Sequence, residues 1–207
     1  MHTCNCTGHH HHPLMPAAHQ LTQNYWAAFR IPGHWARANG GILQYLGWYW
    51  DRLGYDMPTA TRAAWSDLEE MMVFIQQARP LTIHVLAEDS ASPMLSLNVH
   101  DRGLNAKAPS LYNMDEVTGI DFVVQAVLVS QPLTAEVIID ACRVIELQEL
   151  DTFAFKCKYA THRSCGCAVL LASLVYQRAR IAFSTNRTRK AARHRGMIEE
   201  GVGEPSL

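Results

Sequence analysis

The sequence predicts a mainly α-helical chain, with an aromatic-rich helical N-terminal half, a C-terminal helix-turn-helix-like helical unit, and room for a small β-element near residues 81–100. Three observations carry that expectation. Trp65, Leu68, Met72 and Ile75 recur at helical spacing. Three further helical patterns follow one another between Asp115 and Tyr159, and a basic, polar stretch follows the apolar run from Ala168 to Tyr176. An apolar share of 48% with five tryptophans is enough for a packed core.

Residues 1–20 hold Cys4, Cys6, the tract His9 to His12, Pro13 and Pro16, and read as a disordered tail. From Leu21 to Asp56 the chain is crowded with indole and phenol rings, punctuated by Pro32-Gly33 and Gly40-Gly41, and these rings are expected in the core. A helix from Ala60 to Ala78 comes next and stops at Pro80, which has no N–H to give and a ring that clashes with the preceding turn. Leu81 to Leu86 reads as a short strand and Ala87 to Leu111 as mostly loop. A boundary near 112 divides an acidic region, 21–112, from a helical DNA-binding region, 113–200, with 201–207 as a tail. Helices are expected over Asp115 to Val129, Thr134 to Leu147, Leu150 to Tyr159, Gly166 to Phe183 and Ser184 to Met197. Pro132 separates the first two, and Thr134 and Ser184 stand as N-caps.

Charge is distributed unevenly. Ten of the eighteen Lys and Arg lie between Thr152 and Ile198 with no Asp or Glu among them, leaving eight against nineteen acids elsewhere. A net charge of −1 thus hides a cationic segment on an acidic remainder, a field that draws a polyanion. Duplex DNA is the expected partner. Asn186, Arg189 and Arg193 are residue types that read base edges, with Lys190 and Arg193 on the face of Asn186. Arg163, Arg178 and Arg180, on or before the preceding helix, suit phosphates, and Arg187 and Arg195 complete the basic set. An adaptor that sets the basic helix against an acidic protein partner is the alternative.

The stretches 114–124, 155–160, 177–184 and 197–201, with His-Trp-Ala-Arg-Ala-Asn-Gly-Gly at 34–41, resemble phage late-gene antitermination proteins of the Q type. That resemblance implies a helix-turn-helix like that of sigma-factor region 4, a role in transcription regulation, and RNA polymerase as a partner beside promoter DNA.

Cys157, His162, Cys165 and Cys167 offer four ligand types for zinc, but Cys-x-Cys strains chelation from one loop; small buried cysteines at a helix start, with no metal or other cofactor, are the expectation. A small zinc-binding protein stays as a further alternative. Cys165 with His162 is a conceivable nucleophile pair lacking a nearby acid, and Asp115, Glu116 and Asp121 suit the first turn of a helix better than a metal site. No phosphate loop of the Gly-x-x-x-x-Gly-Lys type, no His-Glu-x-x-His and no Gly-x-Ser-x-Gly occurs, so no enzyme is expected. The N-terminus lacks a secretory pattern, and no apolar run reaches the ~18–20 residues of a membrane span, which predicts a cytoplasmic chain without a membrane partner.

Overall fold

A computed structural model of the chain describes residues 56–107, 113–176 and 178–194, together with Ile42, Leu43 and Leu46. Its elements run in the order α1 (Thr59–Met71), a 3-10 turn (Met72–Phe74), β1 (Thr82–Ala87), β2 (Ser96–Asn98), α2 (Phe122–Val129), α3 (Pro132–Leu147), β3 (Thr152–Cys157), α4 (Arg163–Leu174), β4 (Arg180–Phe183) and α5 (Asn186–His194). The strands form one sheet in the order β2-β3-β1-β4, and every pairing is parallel. The fold is therefore α/β, which corrects the mainly α expectation.

Two segments account for the correction. Leu150 to Tyr159, expected as a helix, contains β3, where Phe153, Phe155 and Cys157 alternate with Ala154 and Lys156. β3 is an inner strand with Ala154 as buried as its neighbours, so the alternation is weak, as in parallel sheets covered on both sides. Second, Arg180 to Phe183, expected as the end of a long helix, is the edge strand β4 and pairs with Thr82 to Val85 of β1. A strand thus separates α4 from α5. No helix-turn-helix forms there.

Register places Ile83, Val85, Phe153, Phe155 and Phe183 on one buried sheet face, with Phe153 and Phe155 in edge contact at 5.3 Å. Each such side chain contributes roughly 1.5–3 kcal/mol on burial. α4 packs across β1, β3 and β4, α2 and α3 pack on α4, and α1 packs on α3. The strands on both sides of residue 112 share this sheet. α1 spans less than the helix expected to Ala78, ending in the 3-10 turn, whereas the strand expected at Leu81 to Leu86 is present as β1. The tail, most of the 21–56 aromatic region and residues 201–207 lie outside the described residues. No single described helix is long and apolar enough to cross a membrane.

Gly119 fixes how the turn before α2 meets α4. A Cβ there would overlap the carbonyl oxygen of His162 and the amide nitrogen of Gly166, both backbone atoms that cannot swing aside. Gly119→Ala is expected to destabilise the fold by about 3 kcal/mol or more, at or beyond the upper end of ordinary overpacking. Urea denaturation measures it; a change below about 1 kcal/mol would contradict this packing.

Candidate anion site at the carboxyl edge of the sheet

All four parallel strands end on the same edge, the side on which α/β sheets bind ligands and where crossover helices begin. β3 ends at Cys157 and α4 begins at Arg163, with five residues between them. Ser164 Oγ lies 3.0 Å from Cys157 Sγ, both buried. The amide of Ala160 turns back onto the Cys157 carbonyl at 3.2 Å, and Ala160 takes a positive φ of 50°. Left-handed backbone costs a non-glycine residue ~1–2 kcal/mol, a strain met often at ligand loops. The N-cap, His162, makes no side-chain cap to α4. The first backbone N–H groups of the helix thus have no intrahelical acceptor and take no bond from the N-cap side chain, the arrangement that receives anions.

Arg163 anchors the loop from the helix side. Its Nε donates to the Leu104 carbonyl at 2.5 Å, and its terminal nitrogens have no hydrogen-bond partner among the described residues. His162 Nε2 lies 3.0 Å from the Met114 carbonyl and 2.9 Å from that of Val117, so the ring carries its proton on Nε2 and donates it. Arg187 Nη2 donates to the same two oxygens at 2.7 and 2.6 Å. With the Gly119 amide bound to the Thr161 carbonyl at 2.7 Å, these bonds clamp the 113–119 turn against the β3–α4 loop.

Burial holds the His162 imidazole below its ordinary range; the Arg187 and Arg163 charges push it further down, against the two carbonyls, which push it up. A folded value below the unfolded one means that the unfolded chain takes up the proton first. The contribution of His162 to stability is therefore present above the ordinary imidazole value and lost as pH falls from there through the folded value. Urea melts at pH 7.5 and 5.5 should show this loss in the parent chain and less of it in His162→Gln. An equal pH dependence in both would contradict the assignment.

The other expected site residues scatter. Arg178, Arg180, Asn186 and Lys190 are exposed. Arg187 is bound as described, and Arg189 Nε donates to the Phe183 carbonyl at 2.8 Å. The Arg193 side chain and Arg195 lie outside the described residues. α5 thus spends two of its arginines on backbone carbonyls. Cys165 and Cys167 are fully buried, and burial pushes both thiols up. With His162 Nε2 turned to two carbonyls, neither a zinc cage from Cys157, His162, Cys165 and Cys167 nor a Cys165–His162 pair assembles among the described residues. Asp121 accepts bonds from the Thr118 amide and hydroxyl at 2.6 and 3.0 Å, closing the turn before α2.

A groove of about 570 Å³ beside α1 and α3 is lined by Asp67, Glu70, Glu136 and Asp140 with Arg102 and Arg143. Asp140 pairs with both arginines, and the groove lies against helices rather than the sheet edge. No known protein family, curated relative or solved structure matches the chain.

Cys157 and Ser164 were not singled out together by the sequence reading. The signal lies in Cys157, five residues, Arg163 and Ser164, between an alternating aromatic strand and an apolar helix. Reading 150–159 as a helix concealed it.

Proposed function

We propose that the chain acts on a phosphate monoester, holding its phosphoryl group in the β3–α4 loop while Cys157 attacks phosphorus. The observation that carries this reading is a thiol at the end of a central strand, with Ser164 Oγ 3.0 Å from its sulfur and Arg163 opening the following helix. Backbone N–H groups of the loop and first turn would meet the phosphoryl oxygens, and the terminal nitrogens of Arg163 would add bonds to a charged acceptor, worth roughly 1.5–3 kcal/mol each. Cys157 Sγ forms a bond to phosphorus as the ester P–O bond breaks, and the leaving oxygen takes a proton from water. A second water then cleaves the S–P bond, releasing inorganic phosphate and returning the thiol. Ser164 Oγ, able to donate to sulfur, steadies the thiolate that attacks and then leaves. This reading goes beyond the expectation of a non-enzyme.

The test is alkylation mapped by mass spectrometry. An anion site predicts that iodoacetate modifies Cys157 faster than neutral iodoacetamide does, and that inorganic phosphate suppresses the reaction. No preference for the anion and no effect of phosphate would overturn the reading.

A second reading, duplex DNA with RNA polymerase as a further partner, is favoured by the ten cations without an intervening acid, of which Lys158, Arg178, Arg180 and Lys190 are exposed among the described residues. Those four would contact backbone phosphates. Log affinity would then fall with log salt at about 0.9 per phosphate contacted. A mobility-shift series checks it, and absence of a shift at low salt favours an acidic-protein adaptor instead.

A further inference from the structure

Two loops flank the end of β3. Glu88 follows β1, and His100 and Asp101 follow β2, the two strands on either side of β3. One ligand atom from each of these three side chains lies within 4.8 Å of the others. Asn98 organises them. Its Nδ2 donates to Glu88 Oε1 at 3.1 Å and to Asp101 Oδ2 at 2.8 Å, while its Oδ1 accepts from the His100 amide at 3.1 Å.

The remaining carboxylate oxygens face one ring nitrogen. His100 Nδ1 is 3.9 Å from Glu88 Oε2 and 3.7 Å from Asp101 Oδ1. These separations exceed the ~2.7–3.2 Å of an N–H···O bond. Two ligands at ~2.0–2.2 Å from one metal stand about 3.0–3.5 Å apart, so the two His100 separations need only a few tenths of an ångström of closure, and side-chain rotation of the two carboxylates, within 4.8 Å of one another, would bring the third pair to an ion. One imidazole with two carboxylates suits a divalent ion that accepts both nitrogen and oxygen, such as Mn²⁺ or Zn²⁺. The nearest cation on the strand between, Lys156, is drawn off to the Ser90 carbonyl at 2.9 Å.

The cluster also adjoins the anion loop. The Val99 amide bonds to the carbonyl of Lys156, the residue before Cys157, at 2.9 Å. From His100 the chain turns at once, Gly103 donating to the His100 carbonyl at 3.1 Å, and reaches Leu104, whose carbonyl holds Arg163. Gly103, at φ 75°, supplies the left-handed residue for that turn.

We propose that Glu88, His100 and Asp101 bind a divalent cation of the Mn²⁺ or Zn²⁺ class beside the β3–α4 loop, and that the phosphorylated ligand is held jointly by the cation and the loop. The cation site stands on its own geometry; the joint binding rests on the phosphoryl reading above.

The experiment uses the full chain with His9, His10, His11 and His12 changed to Ser, so that the N-terminal tract adds no metal signal. Electron paramagnetic resonance follows Mn²⁺ binding without any phosphate present. One bound Mn²⁺ is expected in this chain, with affinity at least tenfold lower in His100→Ala and in Glu88→Gln. Both side chains lie at or near the surface, and circular dichroism confirms that the variants fold. Unchanged Mn²⁺ binding in both variants overturns the cation site. The second arm titrates phenylphosphonate, which cannot be hydrolysed. Saturating Mn²⁺ should raise its affinity at least fivefold in this chain and leave it unchanged in His100→Ala. Mn²⁺ binding with no such gain overturns the joint ligand. Loss of metal-free phenylphosphonate binding in Arg163→Ala concerns the anion loop alone, so the two failures are distinguishable.

Discussion

Cys157→Ser is expected to lower the turnover of p-nitrophenyl phosphate by on the order of 10³-fold or more while leaving binding of inorganic phosphate within a few-fold of the parent. The reason is a division of labour in the loop. On the proposed reading the backbone N–H groups and Arg163 would grip the phosphoryl oxygens, and neither changes when sulfur becomes oxygen. The serine hydroxyl is a much weaker nucleophile near neutral pH and a poorer leaving group in the second step. Removing a nucleophile that forms a covalent intermediate collapses the rate toward what binding alone supplies, and losses of this order or greater are usual. A merely structural Cys157 would behave otherwise. It is buried and bonded to Ser164, so a structural role predicts lost stability with no split between binding and turnover. Steady-state kinetics together with phosphate titration separates the two, and retained turnover in the variant contradicts a nucleophilic role.

Trp65→Ala is expected to cost about 3–5 kcal/mol, the range for emptying a buried large aromatic site. Trp65 on α1 has no exposed surface, and its indole Nε1 donates to the Val129 carbonyl at 3.1 Å. Beside it, Thr61 Oγ1 donates to the Ser130 carbonyl at 2.9 Å, so α1 ties down the junction of α2 and α3 at two points. Truncation removes the packed ring and leaves the Val129 carbonyl without its partner, adding roughly 1–3 kcal/mol if water cannot reach it. Trp65→Phe keeps most of the volume and loses the bond, so it should fall well short of the alanine cost. Chemical denaturation of the two variants checks this order. Equal losses would place the energy in the hydrogen bond rather than in the ring.

The sequence made some of this architecture readable and hid the rest for identifiable reasons. Trp65, Leu68 and the turns around them marked α1 because one face is buried and the other wet, the condition under which a 3.6-residue period shows. α3 begins at Pro132, two residues before the expected cap at Thr134, whose hydroxyl instead bonds to the Leu128 carbonyl at 2.6 Å. β3 was illegible because a central parallel strand with Ala154 buried beside Phe153 and Phe155 lacks a polar side, and short apolar runs do not declare their period. β4 was hidden for the opposite reason. Its Arg180 is exposed on an edge strand, and Arg180, Ile181, Ala182 and Phe183 lie next to an apolar helix that they appear, in sequence, to prolong.

The site followed the strands. With β3 taken as helix, the five residues from Cys157 to Arg163 had no reason to be a loop, and Arg163 was grouped with distant arginines by charge alone. Charge marks a field without marking where it converges. Arg187 and Arg189 show the consequence: both belong to the basic segment, yet each donates to backbone carbonyls. The cluster of Glu88, His100 and Asp101 was equally unreadable, because it depends on β1 and β2 flanking a strand more than fifty residues later in the chain.

The most direct measurement of the central claim is a crystal structure of the full chain grown with tungstate, an oxyanion of phosphoryl shape whose metal is located by anomalous scattering. One strong tungsten peak is expected in the β3–α4 loop, its oxygens on loop and first-turn amides other than that of Ala160, which is bonded to the Cys157 carbonyl, and on Arg163, with Cys157 Sγ directly beneath it. A loop without tungsten, or tungstate held only by the exposed arginines Arg178 and Arg180, would contradict it.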